Sequence, residues 1–78
     1  MKKIDSKIKE ILSTILKVPQ KKINSTFSYK STKNWDSLNH VKIIMALESS
    51  FKVKIKPDNA LEMITYKKIL QNLNKIIL

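Results

Sequence analysis

Trp35-Asp36-Ser37-Leu38-Asn39-His40-Val41-Lys42-Ile43-Ile44-Met45-Ala46-Leu47-Glu48-Ser49-Ser50-Phe51 is the stretch on which the fold turns. Its apolar residues recur at three- and four-residue spacing. That predicts a helix over 37–51 with Leu38, Val41, Ile44, Met45, Leu47 and Phe51 facing inward, and Ile43 widening the apolar face. Asp36 is a good N-cap, so it should set the helix start and leave Ser37 in the first turn. Unsatisfied amides and the positive end of the helix dipole gather there. A phosphate on Ser37 would be stabilised by that position, by roughly 0.3–1 kcal/mol. The local pattern alone describes a helix start with an exposed serine.

Upstream, Ile4, Ile8, Ile11, Leu12, Ile15 and Leu16 predict an amphipathic helix over 3–17. Lysines 2, 3, 7, 9 and 17 lie off that stripe, relieved by Asp5 and Glu10. Val18-Pro19 should end the helix, because proline disfavours helical geometry in the residue before it. Residues 18–36 form a connector rich in lysine, serine, threonine and asparagine. It exceeds the roughly 12–15 residues above which structureless loops are uncommon. Ile23, Phe27, Tyr29 and Trp35 are spaced to pin it across the domain.

Downstream, Lys52-Val53-Lys54-Ile55-Lys56 alternates like a strand, but no second strand-like run exists to pair with it, so an extended connector is expected. Pro57-Asp58 opens a short helix, about 58–63, expected to bury Ala60, Leu61 and Ile64. Thr65 is placed to cap a last helix over 66–76, with Ile69, Leu70, Leu73, Ile76 and Ile77 apolar. The expectation is an all-α fold: three main helices and one short one in a small bundle, with residues 1–78 as a single domain. The chain has no glycine, so helix ends must use asparagine, lysine or proline where glycine is usual.

A chain of 78 residues buries only about 60% of its unfolded surface, which leaves little material for a deep enzyme cleft. The hydrophobic share of 42% suffices for a core. The absence of cysteine excludes disulfides and thiolate metal sites, and a single histidine argues against a protein-only metal site. No apolar run approaches the roughly 20 residues that cross a bilayer, and the N-terminus lacks a signal-peptide core. A cytoplasmic monomer is the expectation. The net charge of +10 suggests polyanion partners, but all 16 basic residues are lysine. Arginine supplies the bidentate forks of base and phosphate readout. Abundant lysine, asparagine and isoleucine without arginine fit an AT-rich genome better than a nucleic-acid interface.

Asp36, Ser37 and His40 lie within five residues, which raises a catalytic reading. A triad needs the histidine between serine and acid, with an oxyanion hole beside them. Here the acid is committed as a cap and no glycine turn supplies oxyanion donors. The catalytic reading is set aside, with His40 expected to face solvent. A DNA-binding reading fails on spacing, since nineteen residues separate the first two helices where a helix-turn-helix has a short turn. Its reading helix would hold only Lys42 and His40 as basic groups. A bland reading makes Ser37 the helix-start residue of an interaction domain.

The whole arrangement resembles the acyl carrier protein family over nearly all of the chain. The resemblance is carried by Trp35-Asp36-Ser37-Leu38, by Met45-Ala46-Leu47-Glu48 leading to Phe51, by Ile55-Lys56-Pro57-Asp58, and by Ile64-Thr65. It implies a carrier, not an enzyme. A magnesium-dependent phosphopantetheinyl transferase would move 4′-phosphopantetheine from coenzyme A onto Ser37, with Asp36 and Leu38 as flanking motif residues. The arm's thiol would hold a thioester for acyl- or aminoacyl-loading and acyl-transfer enzymes. Trp35, Leu38, Val41, Lys42 and Met45 are then the expected docking residues, and the bundle is expected to shelter an acyl chain between helices. Carriers of fatty-acid synthesis are acidic along the second helix, which docks on basic patches of their enzymes. This chain has Lys42, Ser49, Ser50, Lys52, Lys54 and Lys56 in that region. With Trp35 before the Asp-Ser-Leu, it resembles stand-alone carriers of specialised pathways such as glycan modification or secondary-metabolite assembly. Two alternatives remain: a peptidyl or D-alanyl-type carrier loaded by an adenylating enzyme, and a basic helical domain binding nucleic acid or an anionic surface.

Overall fold

Helix α1 spans Lys2–Leu16, and its isoleucine and leucine stripe becomes the inner face. Ile8, Ile11, Leu12 and Leu16 are buried, with Ile4 and Ile15 partly so. The structure, a computed structural model, describes residues 2–77, with side chains from Ile4 onward. The expectation for the Lys2 and Lys3 side chains lies outside the described residues. Three further helices follow: α2 (Ser37–Phe51), the short α3 (Pro57–Glu62) and α4 (Tyr66–Ile77). No strand occurs among the described residues, so the fold is the expected all-α bundle. Helix α1 packs on α2 and α4, and α3 packs on α4.

The C-terminal ends of α1 and α2 are made by lysine where glycine is usual. Lys17 and Lys52 both take left-handed geometry, at φ 58° and 55°. Beyond each, the next amide reaches back over the helix end: Val18 N donates to Ser13 O at 3.2 Å and Val53 N to Glu48 O at 3.1 Å. These are the long bonds of a Schellman ending, in which glycine would carry less steric strain.

The connector is tied down, as expected from its spaced apolar residues. Ile23, Phe27 and Trp35 are buried, and Tyr29 stays 39% exposed with its ring edge-on to Trp35. A 3-10 turn at Gln20–Lys22 begins it. An isolated antiparallel bridge joins Ser28 to Thr65, flanked by Tyr29 N to Ile64 O at 2.8 Å and Tyr66 N to Phe27 O at 3.0 Å. The radius of gyration of 11.2 Å is close to the ~11.5 Å of a compact chain this long, so the connector adds no protruding loop. After left-handed Lys52, residues 53–56 run as a link without regular structure, in keeping with the expected connector.

Two expectations about burial are corrected. In α2 the core is made by Ile43 and Leu47, whereas Leu38, Val41 and Met45, expected inside, are 66%, 54% and 62% exposed. The reason is that α2 is apolar around most of its circumference and far less amphipathic than α1 or α4. Packing against α1 then chooses which apolar side turns in. In α3, Leu61 is 75% exposed and Ile64 is also exposed, while Met63 fills the interior beside half-buried Ala60. Pro57 occupies the first turn of α3, where a missing amide costs nothing. Thr65 caps α4 as expected, its hydroxyl accepting Lys68 N at 3.0 Å.

Candidate functional site

Ser37 is the first residue of α2 and is exposed. Asp36 sits ahead of it in extended geometry and accepts Asn39 N at 2.9 Å, while Asp36 O receives His40 N at 2.8 Å. The Asp36 carboxylate is therefore turned onto the helix end. The amides of Ser37 and Leu38 precede the first intrahelical bond and have no helical carbonyl to reach. That is a setting in which negative charge on the serine oxygen is favoured.

Asn34 fixes this helix start to the rest of the bundle. Its side-chain amide donates to Leu16 O, the end of α1, at 3.0 Å, and its carbonyl accepts the Asn39 amide at 2.7 Å. Trp35 adds a second anchor. Its ring is 2% exposed, packs near Phe27 at 5.8 Å between centroids, and donates its indole N–H to His40 Nδ1 at 3.0 Å. His40 in turn bonds the Ala60 carbonyl through Nε2 at 2.8 Å. Since the indole can only donate and the carbonyl can only accept, the imidazole is neutral with its proton on Nε2. His40 is thus half-buried and structural, which corrects the expectation that it faces solvent. Trp35 is likewise corrected as a docking residue, because its surface is already spent inside the fold.

A cleft of about 350 Å³ opens between α2 and α3, lined by Val41, Ile44 and Met45 of α2, Pro57, Ala60 and Leu61 of α3, and His40. Ser37, Val41, Ile44 and Met45 follow three- and four-residue spacing, so the cleft runs along the helix face that the serine heads. Asp36, Ser37 and Leu38 lie together at the head of α2, and the linkage through Asn34 and His40 was not expected from the sequence. A tryptophan five residues before a histidine carries no signal unless the loop geometry is known. Also missed was Glu48, whose carboxylate accepts Ile55 N at 2.8 Å and holds the α2–α3 link.

The residues present fit a phosphodiester arm. The hydroxyl is uncovered, the helix end favours the phosphate, and an apolar cleft on the same face can take a chain. Among the described residues no group of three or more His, Cys, Asp or Glu could hold a metal, and no helix is long and apolar enough to cross a membrane.

Fold and site together define a class: the small all-α bundle that presents one capped, uncovered serine at the head of its second helix. No family model matches the chain. Two relatives agree on what the class is. The acyl carrier protein of Buchnera aphidicola subsp. Schizaphis graminum is 34% identical over 74 residues, 95% of this chain and 94% of its own length. That of Buchnera aphidicola subsp. Acyrthosiphon pisum (strain Tuc7) is 35% identical over 75 residues, 96% and 94% of the two chains. The chain belongs to the acyl carrier protein family, whose members are carriers and not enzymes.

Proposed function

We propose that this protein carries an acyl or aminoacyl thioester on a 4′-phosphopantetheine arm attached to Ser37, in a specialised pathway, with residues 1–78 acting as one carrier domain and as a monomer. The observation that carries the reading is the uncovered Ser37 hydroxyl at the capped head of α2, in line with the apolar cleft. In the loading step Ser37 Oγ forms a bond to the β-phosphorus of coenzyme A, and the phosphoanhydride bond breaks. Adenosine 3′,5′-bisphosphate leaves, and the hydroxyl proton passes to a base of the phosphopantetheinyl transferase. The arm supplies the thiol that this cysteine-free chain lacks. Asp36 holds the helix end square to the serine, and Leu38, exposed beside it, offers the transferase an apolar contact.

The specialised pathway rests on charge. Across α2 and the link after it the lysines outnumber the acids, so enzymes built for acidic carriers are poorly matched to this one. Intact-mass measurement after incubation with a promiscuous phosphopantetheinyl transferase, magnesium and coenzyme A tests the attachment. One arm is expected on the wild-type chain and none on Ser37→Ala. A wild-type chain that stays unmodified, or an arm that persists in Ser37→Ala, overturns the reading.

A further inference from the structure

We propose that His40 positions the segment carrying Ser37, and that a proton taken up by its ring releases that hold. The ring is bonded on both sides: its Nδ1 accepts the Trp35 indole N–H at 3.0 Å, and its Nε2–H donates to Ala60 O at 2.8 Å. Trp35 lies two residues before Ser37 and His40 three residues after it. The Trp35–His40 bond therefore spans the head of α2 and fixes the chain entering the helix against the helix itself. The two rings also stack, with centroids 6.0 Å apart. A proton changes one of the two bonds and spares the other. An imidazolium is a donor at both nitrogens. Its Nε2–H can keep the Ala60 carbonyl, but its Nδ1–H would point at the indole N–H, leaving two donors with no acceptor between them.

Trp35 is 2% exposed, so its displaced N–H is a buried donor without a partner until the ring moves. Protonation thus unfastens the connector from α2 while α2 stays joined to α3. Linkage sets the sign. The open arrangement binds the proton better, so falling pH favours it and rising pH restores the closed one. Both bonding partners of the ring are neutral, and the cleft through which solvent reaches it is otherwise lined by apolar side chains. The titratable groups nearest these contacts along each element are Tyr29 and Lys33 of the connector, Asp36 and Lys42 at α2, Lys56, Asp58 and Glu62 at α3, and Lys17 at the end of α1. All are exposed, and among the described residues no carboxylate is bonded to the ring. What the release does to arm attachment rests on the Ser37 reading; the release itself does not need the arm.

The chain has one tryptophan and one histidine, so both sides of the joint can be followed without ambiguity. In the unmodified full chain, NMR follows the Trp35 indole N–H, the His40 ring and the Ser37 amide between about pH 7.5 and about pH 5.5, the interval in which imidazoles charge. All three should change with one midpoint. The fraction of molecules whose indole N–H is open to solvent exchange should rise about tenfold across the interval, read against His40→Gln at each pH. Glutamine keeps an acceptor and a donor but cannot charge, so in that variant the indole should stay protected and the Ser37 amide should not move. An indole that keeps its resonance and protection while His40 titrates overturns the proposal. So does a ring that stays neutral throughout, an acid-induced opening that persists in His40→Gln, or a Ser37 amide that does not follow the joint. Should His40→Gln fail to fold, coincidence of the three midpoints in the wild-type chain decides. None of these readouts involves the arm, so a chain that refuses phosphopantetheine sinks the Ser37 reading and leaves this test intact.

Discussion

Trp35 donates its indole N–H to His40 Nδ1 at 3.0 Å, and through His40 the connector is joined to α3 at the Ala60 carbonyl, 2.8 Å away. One neutral imidazole thus links three parts of the chain at the level of the serine. The rings also stack, with centroids 6.0 Å apart. His40→Ala leaves a buried indole N–H without its acceptor and a carbonyl without its donor. The expected loss is about 2–6 kcal/mol in urea unfolding, since each of the two orphaned polar groups costs about 1–3 kcal/mol. Trp35 is the one tryptophan, so its emission should shift to the red in the same variant. An unchanged midpoint and emission would show that the linkage contributes nothing.

The cap and any contact to the transferase can be separated at Asp36. Asp36→Ala should cost about 1 kcal/mol, while Asp36→Asn retains a side-chain acceptor for Asn39 N and should cost little. If the rate of arm attachment falls equally in both variants, the carboxylate contacts the transferase. If only the alanine variant slows, its role is the helix start.

The two apolar faces of α2 should respond differently to truncation. Leu47→Ala empties a fully buried position and should cost about 2–5 kcal/mol. Met45→Ala, at 62% exposure, should change unfolding by no more than about 0.5 kcal/mol. A large loss at Met45 would mean that the helix is rotated from the arrangement described above.

The lysine helix ends predict stabilising substitutions. Lys17→Gly and Lys52→Gly relieve left-handed strain at two positions where no amide bond is lost. Each should raise stability by about 0.5–1 kcal/mol, after the extra entropy of glycine in the unfolded chain. Thermal or urea unfolding checks it, and a loss of stability in both variants would contradict the Schellman assignment.

The loading assay brings these together. If the cleft between α2 and α3 takes up an acyl chain, holo protein charged with an apolar acyl group should unfold at a higher temperature than the uncharged holo form. Ala60→Phe, which fills that cleft, should remove the increment while leaving arm attachment unchanged. An equal increment in both proteins would place the acyl chain elsewhere.

Much of this protein was legible one residue at a time. The limits of α2 at Ser37 and Phe51, the Asp36 and Thr65 caps, and the inner faces of α1 and α4 follow from side-chain chemistry acting over one or two helical turns. Such signals survive in a linear reading because the partners are near neighbours. The candidate serine was legible for the same reason: its setting is local to a helix start.

Tertiary structure decided what local periodicity leaves open. Helix α2 has apolar residues on two sides, so its spacing alone is compatible with more than one rotation. Contact with α1 and the buried connector turns Ile43 and Leu47 inward and leaves Leu38, Val41 and Met45 outside. The same packing draws His40, expected to face solvent, onto Trp35 and Ala60, and turns the Glu48 carboxylate onto Ile55 N. Local sequence determined where the helices start and stop, because capping and periodicity are short-range. Only the folded chain chose which apolar face is core and which is exposed, because that choice depends on surfaces brought together from distant parts of the sequence.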